Sequence, residues 1–208
     1  MDTHPVVEKQ KISRSLQIFV VVCGLIGIVV GTAQCSRGVS EMFGAEENVD
    51  IKKNMSEVND AVDVANKNML EAQPKFQKIL DDVDAIGLAK VRQEQKAGTH
   101  SVMALFAKAE EQFRLASQKT AEAAQKASRE KLKSFMTIKS QGYVHMADAN
   151  AINQDIARMV QDVSITNLAD LIAKAEEAGT RRDSAQKHAA EAEARAEAFV
   201  KDGKEMPK

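Results

Sequence analysis

Apolar residues recur through the first half of this chain in a phase that hardly wavers. Ile51, Met55, Val58, Val62, Ala65, Met69, Ala72, Phe76, Ile79, Val83 and Ile86 follow one another at alternating spacings of four and three. Such a 3.5-residue period places them along one stripe of a helix, about 54 Å long at 1.5 Å per residue, and predicts wrapping around partner helices. Pro74 falls inside the stripe and lacks a backbone donor, so a kink or restart is expected near Ala72–Gln73. Gly87 ends the pattern.

A second run, Val102, Phe106, Ala109, Phe113, Ala116, Thr120, Ala123 and Ala127, keeps the same alternation, with Gly98 as a weak point before it. Leu132, Phe135 and Ile138 fall out of its phase, which reads as a stutter in one continuing helix, and Gln141-Gly142 reads as the stop. A third helix is expected from about Tyr143 to Val163, on the stripe Ala149, Ile152, Ile156, Met159 and Val163. A fourth starts at Leu168, capped by Asn167 or Thr166, and runs through Leu171, Ala175 and Ala178 into Ala185, Ala189, Ala192, Ala196 and Phe199. Alanine buries little area, so this last helix is expected to be weakly held. Residues 201–208 read as a disordered tail.

Upstream of the seams the pattern is different in kind. No charged residue stands between Arg14 and Arg37, and the positions between them, 15–36, carry LQIFVVVCGLIGIVVGTA. A stretch of this length and apolarity is expected to cross a bilayer as a signal anchor. Lys9, Lys11 and Arg14 before it put residues 1–14 in the cytoplasm and the body outside it. Gly24, Gly27 and Gly31 share one face of that helix and would let a second helix approach. Two other readings export the same body: a signal peptide cleaved after Ala33, or lipidation at Cys35. Residues 37–49 read as a linker and 50–200 as the helical domain.

Composition supports an all-α chain, since aromatics make up only 4% of 208 residues while Ala, Glu, Lys, Gln and Met dominate. The 29 basic and 30 acidic residues leave no net field to attract nucleic acid. Lys126, Arg129, Lys131 and Lys133 are locally basic, but Glu122 and Glu130 interleave with them and no aromatic platform accompanies them.

Candidate chemistry is sparse. His100, His145 and His188 lack the Glu three residues before them that a carboxylate-bridged di-iron bundle requires, and His188 with Glu191 reads as a solvated helix face. Phosphate loops, nucleophile elbows, Cys-x-x-Cys pairs and dinucleotide fingerprints are absent from the sequence. The expectation is therefore a non-enzyme with no catalytic, cofactor or metal residues.

The fold expected is an N-terminal transmembrane helix followed by an elongated helical bundle or coiled-coil hairpin. Its functional residues would be the membrane glycines and the seam Ile51, Met55, Val58, Val62, Met69, Phe76, Ile79, Val83 and Ile86. The role expected is a scaffold or oligomerisation element of the cell envelope, in the inner membrane, partnered by lipid and by a second copy or another envelope helical protein. A ligand-binding sensory bundle, with an apolar pocket around Phe106, Phe113 and Met159, and a spanin-like or pore-forming protein are the alternatives.

Overall fold

A computed structural model describes residues 49–204, and all of their regular structure is helical. In chain order the elements are α1 (Val49–Ile86), α2 (Leu88–Glu94), α3 (Lys96–Lys126), α4 (Glu130–Gln161) and α5 (Leu168–Lys204). The long helices run up and down in sequence, α1 packing on α3, α3 on α4 and α4 on α5.

The seam of α1 is turned onto helices of its own chain. Ile51, Val58, Val62, Met69, Phe76, Ile79 and Val83 are buried, Met55 is half-buried and Ile86 is exposed. Buried side chains of α3, α4 and α5 complete three apolar clusters with them. Here the expectation of an elongated coiled coil is corrected. A 3.5-residue stripe needs partner helices, and four stripes of similar period in one chain supply them for each other, giving a bundle with extensive inter-helix packing.

Pro74 does not restart α1, whose helix is unbroken from Val49 to Ile86. Its ring lies on the exposed face, where the only loss is one ladder bond. Gly87 does end it, with φ 88° and ψ 152°, a backbone region that only glycine populates readily. The supposed stutter is a genuine break: α3 ends at Lys126, and Ala127 and Arg129 are extended (ψ 126° and 123°) before α4 begins. Gly142, by contrast, stops nothing and sits in mid-helix. A Cβ there would stand 3.3 Å from the Cβ of Ala192 and 3.8 Å from the carbonyl of Ala189, so glycine is what lets α4 and α5 approach closely.

The α4–α5 connection is pinned from a distance by Arg92 of α2. Its guanidinium donates to the carbonyls of Val160 (2.8 Å), Asp162 (2.5 Å) and Ile165 (2.8 Å), satisfying acceptors that the end of α4 leaves open. Beyond it the Asp170 amide donates to Asn167 Oδ1 at 2.8 Å, the expected N-cap of α5.

No helix among the described residues is long and apolar enough to cross a membrane. The expected span 15–36, with Gly24, Gly27 and Gly31, lies outside the described residues. The described residues form a bundle around a shared apolar core. The membrane-anchored envelope scaffold, its lipid partner and its inner-membrane location are corrected accordingly and carried no further.

Candidate functional site: two polar layers in the bundle core

Polar side chains interrupt the core at two levels, each between two of the apolar clusters. The clusters leave α4 vacant from 148 to 151 and α5 vacant from 179 to 188. Within those gaps stand Asn150, fully buried, Arg182 at 2% exposure and Gln186 at 4%. The register of the two helices brings them to one level. His145 faces His188 across the α4–α5 seam, with ring centroids 5.2 Å apart. Five residues along α4 and five back along α5 are Asn150 and Asp183, the neighbour of Arg182.

Arg182 occupies a seam position, between Ala178 and Ala185 in the four-three alternation of α5. Its Nε and Nη2 both donate to Asp183 Oδ1, at 3.0 and 2.6 Å, so the buried cation has its counter-charge on the same helix. Asn150 Nδ2 donates to the carbonyl of Met146 at 2.9 Å and lies 3.5 Å from the sulfur of Met69. The carbonyl oxygens of Asn150 and Gln186 have no protein partner, nor has that of half-buried Asn66 on α1. Inward-facing amide acceptors of this kind are costly in an apolar core unless water or another donor reaches them.

The second layer lies about three helical turns lower along α4. Lys139, 4% exposed, donates from Nζ to Glu193 of α5 at 2.5 Å and stands 5.5 Å from the centroid of the Tyr143 ring. Thr120 returns its hydroxyl to the carbonyl of Ala116 at 2.7 Å, and the Ser117 and Ser140 hydroxyls meet at 3.0 Å between α3 and α4. Asn54 Nδ2 is buried there without a protein partner.

Ion pairs on the outside are of the ordinary solvated kind. Lys119 and Glu57 join α3 to α1 at 2.8 Å. That hydrogen bond is the chief reason the Glu57 carboxyl is held below the usual carboxylate range and the Lys119 ammonium above its own. In the α4–α5 connection, Asp162 is likewise pulled down, first by its hydrogen bonds from Ser164.

Of the residues singled out from sequence, the α1 seam is placed in the core except for half-buried Met55 and exposed Ile86, and Phe106 and Phe113 belong to different apolar clusters. Phe106 edges onto Phe76 (centroids 6.0 Å, 87°) in one apolar cluster that Met159 packs against, whereas Phe113 belongs to the next. Lys139, Asn150 and Arg182 were missed. The signal that could have found them is positional: each is a polar residue in a stripe whose neighbouring positions are mostly apolar. Among the described residues no group of three or more His, Cys, Asp or Glu converges as a metal site would.

Comparison with family models, with curated proteins and with solved structures returns no match for this chain.

Proposed function

We propose that residues 49–204 are a non-catalytic binding module, in which α5 is the element that leaves its seat so that an amphipathic helix of a protein partner can take its place. The observation that carries this reading is the difference between α5 and the other long helices. To the apolar clusters α1 gives Ile, Val, Met, Leu and Phe besides its alanines, while the buried members from α5 are Leu171, Ala178, Ala189, Ala192 and Ala196, with Leu168 and Phe199 half-buried towards its ends.

Each Ala-for-Leu exchange in such a stripe forgoes about 2 kcal/mol of apolar burial. The polar contact that ties α5 to α4 is Lys139 with Glu193, while Arg182 and Gln186 put buried polar groups in its seam where the other long helices put apolar area. An element attached in this way belongs to the low-stability end of a fold, from which moving parts are drawn. Its departure would uncover Ile156, Val160, Met146 and Tyr143 of α4, an apolar groove of the type that receives amphipathic helices.

The test is exchange in trans. A fluorescent peptide of residues 168–204 is mixed with the full chain, and a second peptide has Ala178, Ala189 and Ala192 replaced by leucine. Saturable incorporation of the first, at a rate set by opening of the intact chain and independent of peptide concentration, is the expected result. No incorporation of either peptide, under conditions where the chain remains folded, would overturn the reading.

A further inference from the structure

We propose that His145 and His188 form a two-histidine clamp for a divalent transition-metal ion of the imidazole-preferring class, bridging α4 and α5. The site exists while α5 is seated on α4 and needs no opening of the bundle. His145 is half-buried on α4 and His188 exposed on α5, so the pair lies at the solvent edge of the seam, where an ion can enter.

The separation fits the chemistry. Two imidazoles bound to one tetrahedral ion, each nitrogen at about 2.0–2.1 Å, place their ring centres about 5 Å apart. The observed centroid distance is 5.2 Å, with the planes inclined at 50°. Close helix approach makes this reach available, because Gly142, one turn before His145, admits Ala189 and Ala192 against the α4 backbone. Imidazole nitrogens suit zinc, copper and nickel and do not suit magnesium or calcium, which take oxygen ligands. No third His, Cys, Asp or Glu converges on the pair among the described residues, so water completes the coordination. The clamp ties an alanine-striped helix to its neighbour, and metal bound only by the folded seam shifts the folding equilibrium toward that seam.

The experiment titrates the full chain with Zn2+, and separately with Mg2+, by calorimetry and thermal melting. The expected result is one saturable Zn2+ equivalent and a melting temperature that rises with it, the folded-to-unfolded ratio increasing about 100-fold at 100 times the dissociation constant. His188→Ala, an exposed change that leaves the core intact, weakens binding by about tenfold or more, a loss of about 1.4 kcal/mol or more, and His100→Ala leaves it unchanged. Histidine NMR resonances of residues 145 and 188 move together on titration, and Mg2+ produces neither effect. Absence of saturable Zn2+ binding, or binding that H188A leaves intact, would overturn the proposal, the latter by placing the metal elsewhere in the chain.

Discussion

Truncating the two partners of the Lys139–Glu193 pair should have very unequal effects. The Lys139 side chain is 3% exposed and that of Glu193 20%, with 2.5 Å between Nζ and Oε2. Glu193→Ala leaves an ammonium that is 3% exposed, beside the Tyr143 ring, without its carboxylate. Breaking a buried pair from that side costs about 3–5 kcal/mol. Lys139→Met fills nearly the same volume with an apolar chain and leaves a carboxylate that already touches solvent, so the cost is about 0–1 kcal/mol. The double variant should recover most of the stability lost in E193A, because it removes the buried charge along with its carboxylate.

Urea unfolding followed by far-UV circular dichroism reads all four corners of the cycle, with a common slope as the check that unfolding stays two-state. For a domain of this size the E193A loss corresponds to a fall in Tm of about 6–20 °C. Equal losses for the two single variants, or a larger loss for K139M, would refute the argument that depth of burial sets the asymmetry.

Three further outcomes follow from other contacts. Arg92→Ala should cost about 2–4 kcal/mol, since three carbonyls at the α4–α5 connection lose a charged donor. Arg92→Lys should restore little of it, because an ammonium cannot span the fork; thermal melts of both variants decide this. Gly87→Ala should cost about 1–3 kcal/mol by conformation alone, because φ is 88° and nothing lies within 4 Å of the added carbon; an urea midpoint equal to that of the parent would contradict it. Stability should fall in acid. The carboxyls of Glu57, Glu71 and Asp162 are held below their ordinary range, by Lys119, Lys75 and Ser164 respectively, so their contribution is present above about pH 4 and is lost as pH drops through the lowered values. Lys119, raised by Glu57, acts oppositely, its contribution fading only as pH rises past the ordinary lysine range. Urea midpoints from pH 7 down to pH 2 measure the acid limb, and Asp162→Asn should flatten part of it.

The α1 boundaries and the Asn167 cap could be read from the sequence because each rests on a local rule. A heptad stripe ends at a glycine in a backbone region that other residues avoid, and an Asx side chain meets an open amide. The turn at Ala127–Arg129 was illegible for the opposite reason. It contains neither glycine nor proline, and its ψ angles are open to any residue, so the slip of phase at Leu132 looked like a stutter within one helix. Gly142 carried a second ambiguity, since a glycine can stop a helix or admit a neighbour, and only the position of Ala192 tells which.

The seam residues were legible as a stripe but not as to what covers them. Periodicity specifies that a face is buried without specifying whether the partner lies in the same chain. For the same reason the polar layers went unseen. Arg182 was stepped over between Ala178 and Ala185, because a charge on a helix is ordinarily taken for its wet face, whereas here the phase of the neighbouring alanines carries it into the core.

The central claim is that α5, whose seam is alanine interrupted by buried polar groups, opens before the rest of the bundle. Native-state hydrogen exchange of the full chain, resolved by helix, tests this most directly. The account predicts that amides of α5 between Ala178 and Ala196 exchange through a sub-global opening at least about 2 kcal/mol below the global unfolding free energy, with α1, α3 and α4 at the global value. Exchange of all four long helices at one common free energy would contradict it.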